Sequence, residues 1–119
     1  MTKVRQAVGA YGERRAVQHL VAAGLTVVQR NWRCAQGEID IVAEEGETLV
    51  FCEVKTRRSD AFGPPAAAVV AAKARRLRRL AAEWLAVHGG GGRDVRFDVI
   101  EVRPAERGAA QVEHIRGAF

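Results

Sequence analysis

From about Ala7 to Ala23 the apolar residues Ala16, Val17, Leu20, Val21 and Ala23 recur at helical spacing, and Gly24 supplies a stop. Leu25–Arg30 is rich in β-formers. Gly37–Ala43 alternates, with Ile39 and Ile41 opposite Glu38 and Asp40. Glu45-Gly46-Glu47 has the composition of a hairpin turn, and Thr48–Lys55 is apolar on both faces, as a central strand requires. Pro64 and Pro65 stand where a helix can begin, ahead of Ala66–His88. The apolar stripe Val69, Leu77, Leu80, Trp84 and Val87 predicts one long helix there, with Arg75, Arg78 and Arg79 turned away. Arg96–Val102 alternates as a further strand, and Gln111–Ile115 is a candidate for a short last one. The order α-β-β-β-α-β, a meander followed by a crossover helix, predicts one α/β domain over residues 1–119 with a mixed sheet.

Composition narrows the class without naming a chemistry. The chain has 119 residues, 48% hydrophobic and 28% charged, which supports an ordinary core and excludes disorder. No apolar run approaches the ~20 residues of a membrane span, and Met1–Arg5 leads into no signal-peptide segment. Cys34 and Cys52 cannot by themselves form a disulfide framework or a four-ligand zinc site, and His19, His88 and His114 are scattered. The expectation is a soluble, cytoplasmic protein with no membrane partner.

Charge changes the picture. The net +5 hides an acidic run and a basic run. Glu38, Asp40, Glu44, Glu45, Glu47 and Glu53 are followed by Lys55, Arg57, Arg58, Lys73, Arg75, Arg76, Arg78 and Arg79, with Asp60 alone among them. Two solvated faces would account for this, as would a protein that grips a polyanion and holds a cation against it.

Some of these charges fall where a core belongs. Leu49 and Phe51 share a strand face with Glu53 and Lys55, and a buried charge needs a partner. A Glu–Lys ion pair capping the strand would suffice. With a tight hairpin, however, either Asp40 or Glu38, depending on register, approaches Glu53. Several carboxylates meeting one lysine repel one another unless a divalent cation joins them. Glu13 lies on the stripe of the first helix, either as a helix-start carboxylate or as a further site residue. Lys73, between Val69 and Leu77, reads as a snorkelling lysine or as a phosphate contact. The arginines from Arg75 to Arg79 read as a solvated face or as a phosphate track.

Asp40, twelve intervening residues and then Glu53-Val54-Lys55 form D-x(12)-E-x-K across two strands. This resembles the PD-(D/E)xK nuclease superfamily with its restriction-endonuclease-like core, Ile39 standing where that motif has proline. A fuller match runs along the chain. Gly12-Glu13-x-x-Ala16, Arg30-Asn31, Gly37-Glu38-Ile39-Asp40-Ile41-Val42, Phe51-Cys52-Glu53-Val54-Lys55-Thr56-Arg57, Phe62-Gly63-x-Pro65, Lys73 and Arg96-Phe97-Asp98-Val99 resemble the bacterial YraN family, also called UPF0102. The departures are Cys52 for the common Val, and Ile41-Val42 for Leu-Ile.

The resemblance implies an endonuclease-like three-layer fold similar to that of archaeal Holliday junction resolvases, with Glu13, Asp40, Glu53 and Lys55 as catalytic residues. It further implies Mg²⁺ or Mn²⁺ held by Asp40, Glu53 and the carbonyl of Val54, with Lys55 orienting water or stabilising charge. Glu13 would ligate a second metal or a metal-bound water. Glu38 either supports the site or pairs with Arg33 or Arg57. Arg57, Arg58 and Lys73 would contact phosphates, with little base readout. Symmetric cleavage of branched DNA would need a homodimer. Arg96 and Asp98 read as a structural pair. The implied function is a metal-dependent DNA endonuclease acting on branched DNA. The alternatives are a non-catalytic nucleic-acid-binding module in DNA or RNA processing, and a protein whose Arg-rich helix docks a partner.

Overall fold

The meander closes on a two-residue loop, Gly46-Glu47, in which Gly46 takes the left-handed φ of 59° that such loops favour. The computed structural model describes residues 2–57 and 67–119, with side chains described for 9–57 and 71–119. Helix α1 (Thr2–Ala22) precedes strands β1 (Thr26–Cys34), β2 (Gly37–Glu45) and β3 (Thr48–Thr56); helix α2 (Ala67–His88), β4 (Val95–Arg103) and β5 (Gln111–Ile115) follow. The sheet order is β1-β2-β3-β4-β5. Every pairing is antiparallel except β3 with β4, which the α2 crossover makes parallel. This is the predicted α/β architecture with a mixed sheet between two helices. The β1 strand runs four residues beyond its predicted end, because pairing with β2 continues to Cys34 while Trp32 and Cys34 pack against the core under α2.

β3 is central and its residues sort strictly by parity. Val50 and Cys52 join Ala16, Leu20, Ile41, Ile100 and Val102 under α1, while Leu49 and Phe51 join Leu77, Leu80 and Trp84 under α2. Each such large side chain removed from water contributes about 1.5–3 kcal/mol. Phe51 meets Trp84 edge-on with ring centroids 5.6 Å apart, and Trp84 Nε1 donates to Gln29 Oε1 at 2.9 Å, so the buried indole keeps its hydrogen bond. The stripe of α2 ends a turn earlier than its period predicts, since Val87 is 68% exposed. The side chain of Val69 falls outside the described residues.

β2 does not follow its predicted alternation. Ile39 and Ile41, expected on one face, enter the cores under α2 and α1 respectively. The strand turns about its axis at Asp40, and the site is built on that turn. Among the described residues, no helix is long and apolar enough to cross a membrane.

Candidate functional site

The ladder between β2 and β3 stops at Ile41 opposite Cys52. In continued register Asp40 would face Glu53. Instead, Asp40 Oδ2 accepts the backbone N–H of Val54 at 2.8 Å, so a side chain takes the place of the missing ladder bond. β3 remains paired to β4 through Glu53 opposite Val99 and Lys55 opposite Glu101. One neighbour leaves while the other stays, and the Glu53-x-Lys55 segment lies at the opening.

Helix α1 closes one side of this opening. Gly12 is buried on α1, and a Cβ there would collide with Thr56 Oγ1 and come within 3.1 Å of Thr56 Cβ. Only glycine permits that approach to the residue after Lys55, and the approach delivers Glu13. Carboxylate oxygens of Glu13, Glu38 and Asp40 lie within 4.8 Å of one another. Burial pushes the Asp40 carboxyl up to about 7 against the pull of the Val54 N–H, and repulsion from Glu13, Glu38 and Glu53 adds to the rise. Hard divalent cations take oxygen donors of this kind, so the donor set fits Mg²⁺ or Mn²⁺.

The tight trio differs from the expected ligand set. Glu38 belongs to it while also pairing with Arg33 at 2.6 Å, whereas Glu53 lies outside it, on the same cleft. The cause is the turn at Asp40, which swings that carboxylate out of line with Glu53. The cleft, of about 230 Å³, has Glu38, Asp40 and Glu53 on its sheet side and Lys73, Arg76, Leu77 and Leu80 on its α2 side. Burial lowers the pKa of Lys55, and the adjoining Lys73 lowers it further, while Glu53 opposes the shift. Lys55 and Lys73 therefore lie side by side, with Lys73 on the wall of the cleft across from Glu38, Asp40 and Glu53.

Arg57, expected as a phosphate contact, does not line this cleft. It forms an ion pair with Glu101 at 3.6 Å on the β4 side, and Arg58 falls outside the described residues, as does the Phe62-Gly63-x-Pro65 segment. Arg76, which the sequence left open with its neighbours as part of a solvated face or of a phosphate track, lines the cleft. The signal for this was its place one helical turn after Lys73.

A second polar cluster lies on the α1 side of the sheet. Asp98, fully buried, accepts from Arg96 Nε at 2.8 Å, Arg96 Nη2 at 2.9 Å, the Gly117 N–H at 3.0 Å and His114 Nε2 at 2.7 Å. Burial alone would raise its carboxyl, but those donors outweigh it and hold it below the usual range. Arg96 and Asp98 are the structural pair expected. The fold also brings together two of the histidines scattered in sequence, His19 Nε2 and His114 Nδ1, 3.2 Å apart.

The sequence pattern of the uncharacterised protein family UPF0102 matches residues 12–102. A UPF0102 protein of Beutenbergia cavernae is 59% identical over 115 residues, covering 97% of this chain and 98% of that protein. A UPF0102 protein of Streptomyces griseus is 57% identical over 116 residues, covering 95% and 96%, and one from Frankia casuarinae is 52% identical over 117 residues, covering 98% and 99%.

Proposed function

The chain belongs to the UPF0102 family, and we propose that it is a metal-dependent endonuclease hydrolysing phosphodiesters in branched DNA. The observation that carries this reading is the meeting of Glu13, Glu38 and Asp40, of which Glu38 and Asp40 line a cleft opposite Lys73 and Arg76. Carboxylates crowded this closely favour a cation, and a cation beside bases is the charge pattern a phosphodiester fits.

In this reading Asp40, Glu13 and Glu38 hold Mg²⁺ or Mn²⁺, with Glu53 and the Val54 carbonyl at the margin. When bound, the ion supplies Lewis-acid polarisation of a phosphoryl oxygen and acidification of water. Lys55 orients the attacking water or stabilises negative charge gathering on the phosphate. Lys73 and Arg76 grip the phosphates, and Leu77 and Leu80 keep one wall of the cleft dry. The Val54 N–H keeps Asp40 aimed. Such contacts read backbone shape, and two cuts at one junction would take a two-fold pair of chains. The cytoplasm, where DNA and reduced thiols coexist, suits the free Cys34 and Cys52.

The test is cleavage of a labelled four-way DNA junction beside linear duplex and single strand, with Mg²⁺, with Mn²⁺ and with chelator, for wild type and Lys55→Ala. Junction cutting that needs both metal and Lys55 is expected. Cutting confined to single strands or flaps would keep the nuclease and change its substrate. Salt-sensitive binding without cutting, unchanged in the variant, would replace the enzyme with a non-catalytic nucleic-acid-binding module.

A further inference from the structure

Asn31 lies in the middle of β1, yet its φ is +53°, and among the described residues it is the one non-glycine in the left-handed region. Residues with a Cβ rarely adopt that conformation, and asparagine tolerates it better than most. A left-handed step inside a strand interrupts its pleat, and here the interruption has a definite place.

Arg30 pairs with Ile41 and Trp32 pairs with Ile39, but the position between them, Asn31 facing Asp40, forms no ladder pair. The pairs on either side share one register, so no residue has been inserted. The ladder breaks for a single step, at the residue opposite the aspartate of the acidic trio. The two isoleucines flanking Asp40 enter opposite cores at that same step. In a regular strand they would share a face and Asp40 would point directly away from them. Asp40 instead reaches along the sheet to the N–H of Val54. The Asn31 side chain is exposed, which leaves its backbone as the part that acts.

We propose that Asn31 is a positioning residue whose left-handed backbone turns β1 and β2 together and so aims the Asp40 carboxylate at Val54 and at the space shared with Glu13 and Glu38. Backbone strain held by surrounding structure is concentrated at functional sites in general, and here it sits one residue across from the site. The consequence for metal binding rests on the function proposed above; the aiming of Asp40 does not.

Asn31→Gly and Asn31→Ala separate backbone from side chain, since both delete the amide and only alanine resists the left-handed step. Two readouts are taken: hydrogen exchange of the Val54 N–H, referenced to the amides of β4, and Mn²⁺ binding followed by electron paramagnetic resonance. Asn31→Gly should retain Val54 protection within about twofold, whereas Asn31→Ala should lose about tenfold in protection and weaken Mn²⁺ binding in parallel. Unchanged Val54 protection in Asn31→Ala, or equal loss in both variants, would overturn the proposal. If Asn31→Ala does not fold, Asn31→Gly decides alone: retained protection supports the backbone role and lost protection overturns it. A wild type that binds no Mn²⁺ would sink the metal-dependent function, and the exchange comparison would still judge the aiming of Asp40.

Discussion

The N–H of Val54 donates to Asp40 Oδ2 at 2.8 Å across the point where β2 and β3 separate. The backbone between Glu53 and Lys55 is thereby tied to the carboxylate that burial, with repulsion from its acidic neighbours, pushes up to about 7. One hydrogen bond fixes the relative placement of both halves of D-x(12)-E-x-K.

Replacing Asp40 with asparagine keeps an acceptor for Val54 and removes the charge. The carboxyl titrates at about 7 in the fold against 3.8 ordinarily, so the proton is bound more tightly folded than unfolded. Its contribution therefore falls as pH rises from about 4 to about 7 and is lowest above that. Asp40→Asn should stabilise the metal-free protein at pH 8 by about 1–3 kcal/mol and abolish any stabilisation by Mn²⁺. Urea unfolding at pH 5 and pH 8, with and without the ion, measures both effects.

Gly12→Ala puts a methyl group into Thr56. Overpacking of this kind costs about 1–3 kcal/mol. It also displaces Glu13, so Mn²⁺ affinity should fall more than stability alone explains. Thr56→Ala removes the colliding oxygen, and a double-mutant cycle should recover a coupling of about 1 kcal/mol. Additive losses would mean that α1 settles against β3 by some other contact.

Arg76 stands at the cleft and its removal exposes no buried charge. Arg76→Ala should leave the unfolding midpoint within about 0.5 kcal/mol of wild type. DNA affinity should drop for every sequence tested, and the slope of log affinity against log salt should flatten by about 1. Titrations of one junction at several salt concentrations provide the slope. An unchanged slope would move the phosphate path off this wall of the cleft.

His19 introduces an acid-side dependence far from the cleft. Burial lowers its pKa first, then the charges of His114, Arg116 and Arg15. A histidine depressed in the folded state contributes stability that is present above pH ~6.5 and lost as pH falls through the folded value. His19→Gln should therefore flatten the decline in stability between pH 7 and pH 5. Its sign is opposite to that of Asp40, so the measurement belongs in the Asp40→Asn background. Proton NMR of the His19 ring supplies the folded titration directly.

The elements were legible because their signals are local. Period two in β3 and β4, period 3.6 in α2, and a glycine at the hairpin each act within a few residues. Glu13, Glu53 and Lys55 stood out for a related reason, since a charge on an apolar stripe is visible wherever the stripe is, whereas Asp40, on the polar face of its strand, stood out through the hairpin and the motif it shares with Glu53 and Lys55. Arg76 and the pairing of His19 with His114 did not, because a solvated side chain and one facing a cleft share the same local pattern.

By itself, then, the sequence determined which segments become helix or strand, that β3 is buried on both faces, and that a carboxylate-and-lysine set must share one strand end. Tertiary structure alone decided which carboxylates meet. That outcome depends on where the ladder between β2 and β3 stops, on the left-handed step at Asn31 that sends Ile39 and Ile41 to opposite cores, and on the bare Cα of Gly12 against Thr56. Each of these is a contact between residues distant in the chain or a backbone angle sustained by such contacts, and no periodicity within a single segment encodes it.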